Sequence, residues 1–267
     1  MDATNLGNEL IELHDHPRQV SPFSARYPGL TAESGYGAAR LLHAHRTAQG
    51  WKMTGRKIGF TNRTLWDRYG VHEPMWGTVY DRTTVFSRNN KATVPLAGLE
   101  QPRIEPEICF RLKSRPPVTR DPQALLDCID WIAHSVEIVQ CHHPEWKVTI
   151  GDCTADNGLH GRLILGTPVA VDRISGLAAA LPFLKVDLFK GAERKDQGIG
   201  SNVLGSPLLA LAFLVEILSK QAESPPLEAG EIVSTGTLTD AHPVTAGETW
   251  STDLHGFALR GLTLDFE

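Results

Sequence analysis

Apolar and polar residues alternate without a break through Arg103-Ile104-Glu105-Pro106-Glu107-Ile108-Cys109-Phe110-Arg111-Leu112. Strand side chains repeat with period two, so Ile104, Pro106, Ile108, Phe110 and Leu112 form one face. Arg103, Glu105, Glu107, Cys109 and Arg111 form the other. A second apolar run, Ser135–Val139, reads as a strand carrying the lone charge Glu137. Further strands are expected from Glu73–Asp81 (a loop leading into a strand), Arg162–Gly166, Leu184–Lys190, Ile232–Leu238 and Ala258–Phe266. Thr31 caps a helix predicted to run to about Gln49 and to stop at Gly50. Asp121 and Pro122 open a second helix, with Ala124, Leu125, Cys128, Ile129 and Ile132 as its buried stripe. Ser206-Pro207 opens a third, Leu208 to Lys220, apolar enough to be buried or to sit at a subunit interface. Residues 1–20 are polar and weakly periodic, and His14-Asp15-His16 reads as a surface turn before Pro17. Ser21–Leu30 and the Gly-rich stretch Gly151–Gly161 read as loops. Many strands, three helices and no regular βα alternation give an α+β fold with a mixed β-roll, organised as a single domain over 1–267 with a mainly helical part in 1–55.

Composition adds few constraints. The 267 residues are 41% hydrophobic and 21% charged, enough for a substantial core. The net charge of −5 comes without a basic cluster, which argues against nucleic acid or an anionic membrane as partner. The cysteines show no CxxC spacing, and Cys109, Cys128 and Cys141 lie in apolar surroundings, so they read as reduced core residues. No run suits a bilayer span, and Met1–Asn5 lacks a signal pattern. A cytoplasmic protein is expected, with homo-oligomerisation through the apolar third helix.

The chemistry concentrates on three acids and a lysine. Glu105 and Glu107 point the same way, and two adjacent carboxylates repel unless a proton or a cation lies between them. A hard divalent cation, Mg2+ or Mn2+, suits such oxygen ligands; on the strand alone, a solvated face with pairing to Arg103 and Arg111 is the simpler explanation, which the context has to overturn. Glu137 in an apolar run needs a partner, either an arginine or a metal. Lys57 lies in Gly55-Arg56-Lys57-Ile58-Gly59, where the small neighbours let it project into a cleft; taken alone it also reads as a surface lysine in a turn.

Taken in order, Gly55–Thr61, Arg103–Ile108, Val136–Val139, Val203–Leu208 and Ser234–Thr239 resemble the fumarylacetoacetate hydrolase superfamily, specifically its 2-keto-4-pentenoate hydratase / 4-oxalocrotonate decarboxylase branch. The resemblance spans about residue 25 to the C-terminus. It implies a β-roll core with flanking helices and a divalent metal held by Glu105, Glu107 and Glu137. It makes Lys57 the catalytic residue and places Asp156-Asn157, Trp76-Gly77 and Thr235-Gly236-Thr237 around the substrate. Two stretches depart from the family pattern: Pro74-Met75-Trp76-Gly77 lacks an acid that some hydratases carry there, and Leu159-His160 stands where relatives often have serine.

The resemblance implies metal-dependent addition of water to a 2-hydroxy-2,4-dienoate, giving a 4-hydroxy-2-oxo acid in aromatic catabolism, with Asp156 or His160 orienting the water. Decarboxylation of a 2-oxo-3-enedioate is the alternative; it calls for a cation on the distal carboxylate, and Arg56 and Arg162 are the candidates. Carbon–carbon hydrolysis of an acylpyruvate needs a further base, for which His14-Asp15-His16 is the hint. A non-catalytic small-molecule binder would have no use for all three glutamates and Lys57.

Overall fold

The computed structural model describes residues 3–63, 66, 71, 73–256 and 258–267. Two sheets carry the fold. The larger runs β2 (Met75–Tyr80), β1 (Met53–Gly59), β11 (Ile232–Thr237), β5 (Arg103–Leu112), β6 (Ile129–Val139), β7 (His160–Leu165) and β3 (Thr84–Phe86), with β12 (His242–Pro243) on β5 and β8 (Val169–Ala170) on β6. The smaller runs β10 (Glu193–Ile199), β9 (Lys185–Lys190), β13 (Thr249–His255), β14 (Thr263–Phe266) and β4 (Lys91–Val94). Parallel and antiparallel pairs coexist, as in a mixed roll.

The period-two reading of β5 carries through to its neighbours. Ile104 packs with Val136, Ile138 and Ile164 against Trp250 and Leu264 of the smaller sheet. Ile108, Phe110 and Ile132 pack under helix α7 (Pro207–Lys220). Ser206 caps α7 by accepting the Leu208 N–H, and Leu208, Leu211, Leu214 and Leu218 are buried in this same core. The apolar character of α7 is therefore satisfied within the chain. No described helix is long and apolar enough to cross a membrane.

Four sequence expectations are corrected. Residues 3–15 form a helix, α1 (Ala3–Asp15), whose Leu6, Leu10 and Leu13 pack with Phe23 of the short α2 (Phe23–Arg26) and Ala38 and Leu42 of α3 (Ala32–Ala48). The i, i+4, i+7 spacing of those three leucines was the signal that average polarity concealed. The helix opened by Asp121 is only α4 (Pro122–Leu126): Ile129 and Ile132 belong to β6 instead, where they pair with Leu112 and Phe110. The Gly-rich stretch begins with a helix, α5 (Ile150–Ala155), capped reciprocally by Thr149 and Asp152. A final short helix, α6 (Leu177–Ala180), precedes β9, and the last strand starts at Thr263 rather than Ala258. By contrast, α3 follows its prediction closely, with Thr31 in a capping box and Gly50 in the left-handed region at φ +81°.

Candidate active site

The site is assembled by register across the larger sheet. On β5 and β6, Glu105 stands opposite Glu137 and Glu107 opposite Ser135. On the other side of β5, Ser234 of β11 stands opposite Cys109 and Thr237 opposite Glu107, with an irregularity in register between them. That irregularity is Gly236, at φ +97°; a Cβ there would lie 1.8 Å from Thr61 Oγ1. The turned backbone aims the Gly236 N–H at Glu107 Oε2 (2.9 Å), and Ser234 Oγ donates to the same oxygen at 2.5 Å. Next in the sheet, Lys57 of β1 stands opposite Ser234 on one side and Gly77 on the other.

The three carboxylates converge: one oxygen from each of Glu105, Glu107 and Glu137 lies within 4.8 Å of the others. Lys57 Nζ reaches Glu137 Oε2 at 3.1 Å and donates to the Gly158 carbonyl at 2.9 Å. His160 Nδ1 donates to Glu137 Oε1 at 2.7 Å, and its Nε2 lies 2.8 Å from Thr83 Oγ1. Glu107 Oε1 is buried without any hydrogen-bond partner. Three carboxylates against one lysine leave an uncompensated negative charge in a buried place. Burial, partly offset by Lys57, pushes the Glu105 carboxyl up to about 7. Burial and the charges of Glu137 and Glu105 hold Glu107 well above the usual carboxylate range. Burial opposes the charge on Glu137 as well, yet Lys57 and His160 keep it below its ordinary value. Lys57 is likewise desolvated, but the three glutamates, Glu137 foremost, hold it cationic. A converging all-oxygen donor set with an orphaned inward oxygen fits a hard divalent cation.

Glu105 opens into a cleft that Lys57, Gly236, Met75, Trp146 and Leu159 also line, with Glu107 and Glu137 buried behind it. Of the residues expected around the substrate, Thr237 lines this cleft, although its hydroxyl is committed to the Thr239 carbonyl. Thr235 does not: its hydroxyl bonds the Ile108 carbonyl inside the sheet. Arg56 and Trp76 also lie elsewhere, since they alternate with Lys57 and Gly77 and so point to the opposite face of the sheet. Gly77 acts through the room it leaves. A Cβ there would meet the Asn157 carbonyl oxygen at 2.2 Å, so its absence lets the 157–159 turn approach and present Gly158 to Lys57. The Asn157 side chain fastens that turn, accepting from Thr78 N at 2.8 Å and donating to Thr78 O at 2.9 Å. Arg162 lies outside the cleft and bonds the Gly161 carbonyl.

Asp156 is likewise absent from the cleft lining. Its carboxylate accepts from His14 Nε2 at 2.9 Å and from His142 Nδ1 at 2.7 Å, while Arg46 donates to His14 Nδ1 at 2.9 Å. The His14 side chain is thus enclosed in a hydrogen-bonded network and is not part of a surface turn, although His142 Nε2 and Arg46 Nη1 have no hydrogen-bond partner among the described residues. The donors resemble a cation site. However, Arg46 caps the outer nitrogen of His14, and both imidazole protons already serve Asp156. Asp156 therefore anchors the start of the 157–159 turn, and orienting a substrate water is not its place. His160, with both ring nitrogens engaged and 2% exposed, braces Glu137.

Sequence reasoning missed Arg103 as a cleft residue: its guanidinium lies 4.3 Å from the centre of the Trp146 ring at the cleft wall. The alternation of β5, which places Arg103 on the glutamate face, contained that signal.

No family model matches the chain. It is 32% identical over 253 residues to the 2-hydroxyhexa-2,4-dienoate hydratase of Comamonas testosteroni, covering 94% of this chain and 92% of that protein. It is 30% identical over 242 residues to the 2-keto-4-pentenoate hydratase of Paraburkholderia xenovorans, covering 90% and 86%. Among solved structures it resembles the 4-oxalocrotonate decarboxylase of Pseudomonas putida G7 complexed with magnesium and adipate, with a TM-score of 0.88 at 25% identity over 99% of this chain and 97% of that one. The chain is an enzyme with the residues for a divalent metal, and it belongs to the fumarylacetoacetate hydrolase superfamily, in the 2-keto-4-pentenoate hydratase / 4-oxalocrotonate decarboxylase branch.

Proposed function

We propose that the protein hydrates a 2-hydroxy-2,4-dienoate to a 4-hydroxy-2-oxo acid, with Mg2+ or Mn2+ held by Glu105, Glu107 and Glu137. The observation that carries this reading is Lys57 Nζ, 3.1 Å from Glu137 Oε2 and lining the same cleft as Glu105. The relatives that are hydratases favour water addition over the other chemistries of the branch. When bound, the cation supplies Lewis acidity toward the substrate carboxylate and 2-oxygen. The Lys57 ammonium delivers a proton to C5 and then, as the free amine, takes the proton of the 2-hydroxyl, leaving a 2-oxo-3-enoate. Water then adds at C4 and a proton at C3, so the net change is one added water. The Gly158 carbonyl holds the ammonium in place, and Met75, Trp146 and Leu159 supply apolar walls for the hydrocarbon end. We place the enzyme in the cytoplasm as a homo-oligomer acting on a small acid.

Arg103 supports a second reading, decarboxylation of a 2-oxo-3-enedioate. It replaces Arg56 and Arg162, neither of which lines the cleft, as the cation for a distal carboxylate. The two readings separate in one assay. Ultraviolet absorbance of 2-hydroxypenta-2,4-dienoate is followed with and without Mg2+ and EDTA, beside 4-oxalocrotonate under the same conditions. Metal-dependent conversion of the dienoate to 4-hydroxy-2-oxopentanoate supports hydration. Loss of carbon dioxide from the dioate, with the dienoate untouched, replaces hydration by the second reading.

A further inference from the structure

Arg56 is 1% exposed, yet its Nε and Nη1 have no hydrogen-bond partner among the described residues. It is ion-paired with Glu231, whose Oε2 lies 3.7 Å from Nε, beyond hydrogen-bonding distance, and likewise has no hydrogen-bond partner among the described residues. A buried guanidinium with unused N–H groups carries a desolvation cost that the Glu231 charge offsets only in part. Period-two alternation on β1 turns it away from Lys57, toward a cavity of ≈ 300 Å³ between α3, the β1–β2 pair and the segment after α7. Tyr36, His43 and Trp76 contribute aromatic surface to this cavity, and Met53 and Ala39 apolar surface. The Trp76 and Tyr36 rings are stacked at 5.1 Å, and the Arg56 guanidinium lies 5.6 Å from the Trp76 ring centre. Burial, together with the Arg56 and Arg46 charges, lowers the His43 pKa, so His43 adds no charge near pH 7, and Arg40 and Glu223, which also line the cavity, pair with each other.

We infer that this cavity is a second small-molecule site, distinct from the metal cleft, that takes a planar organic monocarboxylate. The Arg56 guanidinium lines the cavity, and its Nη1, without a hydrogen-bond partner among the described residues, supplies a charged donor for a carboxylate. Aromatic walls suit a flat conjugated or ring-bearing body. The volume is at the lower end of the range for small-molecule sites, which excludes large cofactors. The occupant would lie against Thr78 and Asn157, the pair that fastens the turn presenting Gly158 to Lys57. The inference does not depend on which reaction the metal cleft performs.

The test is calorimetric titration of benzoate, a flat monocarboxylate with no second oxygen at the 2-position, into metal-loaded and EDTA-treated protein. One saturable site is expected, with a dissociation constant of about 1 mM or tighter. It should survive EDTA and Glu105→Gln, weaken about tenfold or more in Arg56→Gln, consistent with a lost charge-assisted pair, and disappear in Ala39→Phe, which fills the cavity and leaves the guanidinium in place. Absence of saturable binding in the wild type overturns the inference. So does binding that EDTA or Glu105→Gln removes while Arg56→Gln leaves it, which would put benzoate in the metal cleft, and so does binding that every variant retains. Should Arg56→Gln fail to fold, Ala39→Phe decides.

Discussion

Glu105 and Glu137 stand directly opposite each other on adjacent antiparallel strands. Like charges in that relationship destabilise a sheet unless something lies between them. With Glu107 completing the group, the proposed divalent cation is expected to relieve the repulsion and stabilise the folded state. Mn2+ at a hundred times its dissociation constant should add about 3 kcal/mol to folding, and EDTA should remove it. Glu107→Gln should weaken Mn2+ affinity about a hundredfold and cancel the metal-induced rise in melting temperature, while the metal-free variant melts no lower than metal-free wild type. Calorimetry and thermal melts read both quantities; wild-type metal affinity in the variant would refute the ligand assignment.

Lys57→Met should separate metal binding from turnover. The variant keeps the three carboxylates and removes only the proton carrier. Its Mn2+ affinity should stay within a few-fold of wild type, while the turnover number falls by about 10²–10⁴. Turnover near the wild-type rate would remove Lys57 from the mechanism.

Gly77→Ala tests the backbone approach behind the lysine. The added methyl would press on the Asn157 carbonyl and push away the turn that presents Gly158. Turnover should drop at least tenfold with metal affinity unchanged, as expected for a displacement on the scale of an ångström. An unaffected rate would show that the Gly158 contact is dispensable.

The His14–Asp156 contact predicts a pH dependence of stability. Burial, with Arg46 adding to it, lowers the His14 pKa from 6.5 to about 4, despite the hydrogen bond to Asp156. The unfolded chain therefore takes up a proton between pH 6.5 and 4 that the folded chain refuses, and stability falls as the pH drops through that window. This group alone should account for up to about 3 kcal/mol. Asp156, although buried, is held far below its ordinary value by His142 and His14, so its contribution is lost at still lower pH. The raised carboxyls of Glu105 and Glu107 act in the opposite direction, so the His14 contribution is read as a difference: on lowering the pH from 7 to 4, urea unfolding should show wild type losing stability relative to His14→Gln. Identical slopes would exclude His14 as the titrating group.

What was legible in the sequence was local. The alternation along β5 placed Glu105 and Glu107 together on one face because side-chain direction in a strand depends only on parity. The apolar run around Glu137 announced a buried charge because burial of an unpaired carboxylate is costly. Caps at Thr31, Asp121 and Ser206 marked helix starts through the unsatisfied N–H groups they accept.

Tertiary structure decided the partners. Lys57 meets the Gly158 carbonyl across 101 positions of chain, and Glu107 meets Ser234 across 127. No local pattern encodes such pairings, because strand register depends on how whole faces bury against one another. The same parity that makes β5 readable sends Arg56 away from Lys57, but which face meets the carboxylates and which meets the second cavity follows only once β1 lies between β2 and β11. Asp156, His14 and His142 look like separate polar residues along the chain. Folding buries them together, and desolvation turns them into the anchor of a turn.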